Sequence, residues 1–303
     1  MISFVGAGPG APDLITLRGA ARLGAADLVV WASSLVPAAL LDHARPDAKI
    51  HDSAVMTLED VLAVYQEHPD AHIVRLHSGD PSIYGAIQEQ IDWCLANQRE
   101  FEMVPGVSSL AAAAAALGRE LTIPTVSQSV VLTRLAGRTA ASVPPGESVA
   151  AFAAHGATLA VFLSAARPTE LQAQLLAEAS SYRPDTPAAI VVRASWPDQQ
   201  VIHSTVGQLA ADLSSTGATT TVLVLVGPAL AAPASRSHLY SPDWAHGYRR
   251  RSAPGSTTGR PASLSGGQPG REDRNGRPAT VRRPRPGQSP GPGPGGDSPG
   301  DPA

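Results

Sequence analysis

The chain reads as an α/β protein in two parts, a mostly parallel sheet first and a mixed sheet second. Three observations predict this. Short apolar strands alternate with helical patterns from the first residues to about residue 118. Three strand ends, Val5, His77 and Val104, run into glycine-containing loops that open onto helices, which is the corner of a βα unit. Farther on, strands outnumber helices, so some neighbours in that sheet pair antiparallel.

In order, Ile2 to Val5 is a buried strand, followed by Gly6-Ala7-Gly8-Pro9-Gly10-Ala11-Pro12-Asp13. Pro12 delays the first helix to about Thr16. Leu28 to Trp31 and Lys49 to His51 are strands. Thr57-Leu58-Glu59-Asp60 has the form of a capping box and starts a helix to about Glu67. His72 to His77 is a central strand. Asp80 and Pro81 then read as the cap and first residue of a helix from Ser82 to about Ala96. Glu102 to Val104 meets Pro105-Gly106-Val107-Ser108-Ser109, and the Ala-rich helix Leu110 to Leu117 follows. The first domain is expected to span residues 1–120.

In the second part, expected over residues 121–232, strands are predicted at Val130 to Arg134, Thr158 to Leu163, Ala188 to Val192, Gln200 to His203 and Thr221 to Val226. Helices are predicted at Arg167 to Ala179 and Val206 to Leu213. Residues 233–303 are an extension. From Arg251 onward it holds 11 Pro and 12 Gly with almost no large apolar side chains, the composition of a disordered tail.

Hydrophobic residues make up 43% of the 303-residue chain but aromatics only 4%, so aliphatic side chains and Ala must fill the core. The single cysteine, Cys94, excludes an internal disulfide framework and reads as a buried small hydrophobe. The start shows neither a basic segment nor an apolar run behind one, and no stretch reaches the roughly 20 apolar residues of a membrane helix. A cytoplasmic protein without membrane contact is expected. Residues 251–303 carry eight Arg against four acidic residues, and the whole chain is −3, which leaves −7 on residues 1–250. So acidic a body argues against nucleic-acid binding.

Most catalytic devices are missing. No Cys/His cluster has zinc spacing, no G-x-x-x-x-G-K-[ST] is present, and Gly106-Val107-Ser108-Ser109-Leu110 lacks the last glycine of a nucleophile elbow. The first loop formally fits the dinucleotide pattern, with Asp27 at about the right distance. However, Pro9 and Pro12 remove N–H donors, and Asp27 precedes its strand instead of following it. His77 and His155 lie beside glycine loops, where each reads either as functional or as a polar strand end. What remains is a set of glycine corners on one sheet edge. That suits a reaction whose ligands carry the reactivity while the protein positions them.

Gly6-Ala7-Gly8-Pro9-Gly10, Gly79-Asp80-Pro81 and Pro105-Gly106-Val107-Ser108, in this order and spacing, resemble the tetrapyrrole (corrin/porphyrin) methyltransferases. The likeness covers about residues 1–245. Trp31-Ala32-Ser33-Ser34-Leu35-Val36, His51 to Leu58, Leu76 to Ile87 and Arg193 to Pro197 resemble the members that methylate C11 of precorrin-4 or its cobalt counterpart.

The resemblance implies two α/β domains of the tetrapyrrole-methylase kind, a cleft between them, a homodimer and a place in cobalamin biosynthesis. It implies S-adenosylmethionine as donor, leaving S-adenosylhomocysteine, with no protein-bound metal. On the donor side it implies Pro9, Ser78, Gly79, Asp80, Ile83 and Tyr84, joined by Ser108 and Ser109. From the second domain it implies Leu163, Ala194 and Thr221. On the tetrapyrrole side it implies Gly8, Gly10 and Ser34. Arg134, Arg138 and Arg193 are candidates to pair with substrate carboxylates, with surface ion pairs as the other reading. No general base is assigned. The alternatives are a family member acting on another precorrin carbon, a protein histidine or ribosomal RNA, a nicotinamide oxidoreductase, and a non-catalytic binding module.

Overall fold

The computed structural model describes residues 1–136, 143–144, 146–233, 237–247, 249–252 and 260–261. The tail expected from about residue 251 lies almost wholly outside them, as does Arg138. One compact unit runs from Met1 to Ser237, and the described residues from His238 on form a separate unit. In the second unit Arg249–Arg250 pairs antiparallel with Arg260–Pro261.

The first sheet contains β1 (Ile2–Gly6), β2 (Leu28–Trp31), β3 (Lys49–Asp52), β4 (Ile73–His77) and β5 (Phe101–Val104). Their order is β3-β2-β4-β1-β5 and every pairing is parallel. Both faces are covered, as a parallel sheet requires. Val5, Val29, Val74, Leu76 and Val104 pack toward α1 (Leu17–Gly24). Ile2, Phe4, Leu28, Val30 and Ile73 pack toward α2 (Leu58–Glu67) and α3 (Gln88–Ala96).

Local chemistry sets the helix starts. The Thr16 side chain accepts from Gly19 N–H and begins α1. Thr57 and Asp60 form the expected capping box, with Asp60 N–H donating to Thr57 Oγ1 at 3.2 Å and Thr57 N–H to Asp60 Oδ2 at 2.9 Å.

α3 differs from expectation. It begins at Gln88, not Ser82, and Asp80 does not cap it. Tyr84 (φ 55°) and Ala86 (φ 50°) are left-handed, which no helix accommodates. A Cβ on Gly85 would stand 2.1 Å from Pro81 O, so this tight turn admits only glycine there. Asp80 does accept from Ser82 N–H as a cap would, but the left-handed turn at Tyr84–Ala86 stops a helix from continuing.

Helix α4 (Ser109–Leu117) starts at Ser108, whose side chain accepts from Leu110 N–H, and ends at Gly118 in the left-handed conformation. The second sheet contains β6 (Val130–Arg134), β7 (Thr158–Phe162), β8 (Pro187–Val192), β9 (Gln200–Thr205) and β10 (Val222–Val226), in the order β6-β7-β10-β8-β9. β6 and β7 are parallel and the other pairs antiparallel, the expected mixed sheet.

The second sheet is also buried on both faces. Val222, Val224 and Val226 point with Leu159 and Val161 toward α5 (Val149–Ala153), α6 (Pro168–Leu175) and α7 (Leu209–Ser215). Leu223 and Leu225 point the other way, and there Ala112 and Ala113 of α4 close the core. The boundary drawn near residue 120 therefore falls just behind a helix whose apolar face packs on the second sheet. Helix α6 stops at Leu175 and α7 starts at Leu209, both shorter than expected, and α5 lies in a segment for which no element was predicted.

Leu225 is fully buried between β10 and α4. Leu225→Ala is expected to cost about 2–5 kcal/mol in urea unfolding with an unchanged slope. A loss below about 1 kcal/mol contradicts this packing.

Candidate active site

The carboxyl edge of the first sheet is held by direct backbone contact. Gly6 ends β1, Gly79 follows β4, and Gly106 follows β5. A Cβ on Gly106 would lie 2.1 Å from Gly79 O and 2.7 Å from Gly6 Cα, and one on Gly6 would lie 2.5 Å from Gly106 Cα. No side chain of any size fits at either position. Gly8 and Gly79 exchange two hydrogen bonds, Gly8 N–H to Gly79 O at 3.2 Å and Gly79 N–H to Gly8 O at 2.8 Å. Ala7 N–H donates to His77 O at 2.7 Å.

Asp80 ties these corners together. Its Oδ2 accepts from Gly106 N–H at 2.8 Å, and its Oδ1 accepts from Ser82 N–H at 2.8 Å and from the Ser82 hydroxyl. Burial pushes the carboxyl pKa up, but the Ser82 hydroxyl and the Gly106 and Ser82 N–H groups together outweigh it. The net pKa is lowered, so the group is a carboxylate at neutral pH.

The opposite wall comes from loops at the ends of the second sheet. Leu163 follows β7, Ala194 follows β8 and Thr221 precedes β10. Leu163 (φ 52°), Arg193 (φ 49°), Ser195 (φ 66°) and Thr221 (φ 56°) are left-handed without being glycine. Among the eight such residues described, Tyr84, Leu163 and Thr221 line one cleft, and Arg193 and Ser195 flank its lining residue Ala194. Backbone strain of about 1–3 kcal/mol per residue gathers where geometry is functional.

The cleft measures about 320 Å³. Its lining is apolar side chains, the hydroxyls of Ser78, Ser108, Ser109, Ser164 and the Thr219–Thr221 run, and the Asp80 carboxylate. No His, Cys, Lys or Arg is among its lining residues. The Tyr84 ring lies 5.2 Å from Phe162 across it, and burial raises the Tyr84 phenol pKa.

The eleven residues assigned to the donor side, Pro9 to Thr221, all border this one cleft. Sequence reasoning missed Leu35, Phe162, Ser164 and Val191 among others. Thr219 and Thr220 carried a signal, because a polar run leading straight into a buried strand marks a strand end at a site.

The substrate-side candidates scatter. Gly8 acts through the backbone pair with Gly79, Gly10 packs on Trp196, and Ser34 is exposed in a turn beside Leu35. Arg134 borders a second hollow of about 390 Å³ with Thr133, Glu147 and Tyr84, which also lines the first. Arg193 donates to Asp198 Oδ1 at 2.7 Å and lies 3.9 Å over the Trp196 ring.

His77 ends β4 against Phe4, its ring centroid 6.3 Å away, and does not line the cleft. Burial, with help from Arg75, drops its pKa to about 3, so it is neutral. His155 is exposed and lies away from the lining. Asp27 sits at the amino end of β2, accepting from His72 N–H at 2.8 Å, on the sheet edge opposite the glycine corners. It cannot serve a ligand in this cleft.

Asp80→Asn is expected to destabilise the protein by about 1–3 kcal/mol, because an amide cannot accept at both of its ends. The folded pKa of Asp80 lies below its reference value of 3.8. The carboxylate's contribution is therefore fully present above that value and is lost as pH falls through the lower folded one. Urea melts at several pH values are expected to show a wild-type advantage that is constant from about pH 5 to 7 and closes below about pH 4. A gap independent of pH contradicts the assigned bonds.

The family profile of the Tetrapyrrole (Corrin/Porphyrin) Methylases matches residues 1–210. A precorrin-4 C(11)-methyltransferase from Sinorhizobium sp is 44% identical over 253 residues, 82% of this chain and 98% of that protein. The X-ray structure of a cobalamin biosynthetic enzyme, cobalt precorrin-4 methyltransferase, superposes with a TM-score of 0.72 at 38% identity, covering 76% of this chain and 96% of the other. The uroporphyrin-III C-methyltransferase of Thermus thermophilus, solved with S-adenosylhomocysteine, is 25% identical with a TM-score of 0.61 over 79% of this chain and 94% of that one. The glycine corners, the two sheets and the extent of these matches agree: this chain belongs to the tetrapyrrole (corrin/porphyrin) methylases.

Proposed function

We propose that the protein is an S-adenosylmethionine-dependent methyltransferase that transfers a methyl group to C11 of precorrin-4 or cobalt-precorrin-4 in cobalamin biosynthesis. The observation that carries this is the single cleft that borders Gly79, Asp80 and Ser108 on one side and Leu163, Ala194 and Thr221 on the other. The names of the near full-length relatives support the substrate. The cleft's volume falls in the range of about 300–1,000 Å³ of small-molecule sites. Its carboxylate and hydroxyls suit the amine and hydroxyl groups of the donor, and its apolar walls suit the rest.

Bound there, the donor offers a methyl on a positively charged sulfur, which an electron-rich carbon can displace directly. The protein's part is to hold the two partners in line and keep water out, an effective-molarity advantage rather than acid–base chemistry. The lining fits, since it holds no imidazole, thiol or amine to compete for the methyl group. Asp80 holds the Gly106 corner in shape while remaining negative beside a cationic ligand. Arg134, which lines the hollow that shares Tyr84 with the cleft, is on this reading the partner of a carboxylate of the macrocycle.

A homodimer and a cytoplasmic location belong to the same reading and are supported by family membership. Among the described residues no helix is long and apolar enough to cross a membrane. The division into residues 1–120 and 121–232 is part of it too, with the cleft between the sheets those segments form.

The purified chain incubated with methyl-labelled S-adenosylmethionine and either precorrin-4 or cobalt-precorrin-4 is expected to yield label at C11 and one S-adenosylhomocysteine per product, read by NMR and mass spectrometry. Transfer to another ring position, or to neither substrate, would sink the assignment. Comparing the two substrates decides which one the enzyme takes.

A further inference from the structure

Pro9 reaches the cleft from the first sheet and Ala194 from the second. The two loops that carry them are joined by residues that do not themselves line the cleft. The Trp196 indole N–H donates to Pro9 O at 3.0 Å. Ala11 N–H donates to Ser195 Oγ at 2.9 Å. Between these bonds the backbone of Gly10 lies on the indole, so closely that a Cβ there would stand 2.2 Å from Trp196 Cδ1.

The second-sheet side of this contact is braced internally. Arg193 covers the indole ring at 3.9 Å and is anchored by Asp198. Trp196 N–H donates to Arg193 O at 2.9 Å, and Ser195 N–H donates to Gln199 Oε1 at 2.7 Å. Arg193 N–H donates to Thr221 O at 2.8 Å, tying the loop to another wall of the cleft. The first-sheet side is held at its two ends, Gly8 by its backbone pair with Gly79 and Ala11 O by Leu14 N–H. Between them Pro9 and Gly10 lie in no helix or strand, and Pro9 has no N–H to anchor it.

We propose that Trp196, with Ser195, is a positioning residue. It is a clasp that holds the Gly8–Ala11 loop against the second sheet and so fixes Pro9 opposite Ala194 before any ligand arrives. Left-handed φ values at Arg193 and Ser195 turn the indole and the hydroxyl toward the loop. Arg193 thus acts through Trp196, stacking on it, rather than on a substrate carboxylate. Ligand affinity rises because the wall is already ordered when the ligand binds. The effect on donor affinity rests on the function proposed above, whereas the ordering of the loop does not.

Trp196→Phe keeps an aromatic ring under Arg193 and removes the indole N–H together with the ring edge that faces Gly10. Relative to wild type, the Ala11 amide is expected to exchange with solvent faster, and S-adenosylhomocysteine to bind about 5- to 10-fold more weakly by calorimetry, the loss of one neutral hydrogen bond. The melting temperature is expected to stay within about 3 °C and kcat at saturating donor to be retained. A purely structural role would instead lower the melting temperature and kcat together, and that result overturns the proposal. So does an unchanged Ala11 amide.

A second pair of variants guards against misfolding. Gly10→Ala must push the indole aside, and is expected to speed Ala11 exchange and weaken binding at least as much as Trp196→Phe. The same methyl in a Trp196→Ala background meets no ring and is expected to add nothing further, whereas additive losses overturn the clasp. If wild-type protein binds no S-adenosylhomocysteine, the functional reading falls, and Ala11 exchange in these variants still decides the clasp.

Discussion

Three glycine backbones meet at the carboxyl edge of the first sheet, and the rest of the site depends on that contact. Gly6, Gly79 and Gly106 approach so closely that a methyl on the first or last would overlap main-chain atoms. The approach lets β1, β4 and β5 end level and lets the Asp80 carboxylate reach Gly106 N–H. The chain after Gly79 does not start a helix at once. It winds through two left-handed residues instead and delivers Ile83 and Tyr84 to the cleft. One steric fact in β1, β4 and β5 thus decides the shape of a wall that a sequence pattern would assign to helix.

The second wall is built by another route. The buried alternation of β7, β8 and β10 packs both sheet faces, and α4 crosses from the first sheet's corner to seal one of them with alanines. Small side chains on α4 allow close packing against Val191 and Leu223, which themselves line the cleft. The two walls are thus coupled through the core as well as through the loops. A mostly apolar cleft with hydroxyls and one carboxylate suits a reaction driven by alignment.

Much of this was legible in the residues. Strand–glycine–helix corners stand out because strand periodicity stops abruptly at Gly6, Gly79 and Gly106, and the motifs at those corners carried the family resemblance. Every residue assigned from those motifs to the donor side borders one cleft. Asp80 was misread because an Asp-Pro-Ser stretch is a good helix start by local rules, and it does bond Ser82, while its second partner, Gly106, lies 26 residues away. Arg193 and Trp196 were read as motif residues without their contacts, since the indole N–H of Trp196 finds its partner, Pro9, 187 positions earlier in the chain. Short, irregular elements such as α5 gave too few turns for a period to show.

The claim that this glycine-built cleft receives the methyl donor is tested most directly by a crystal structure of the protein grown with S-adenosylhomocysteine. The account predicts density between the Gly79–Ser108 corner and the Leu163 and Thr221 loops, with the backbone of residues 8–11 unmoved. Ligand density anywhere else, with this groove left to solvent, contradicts it.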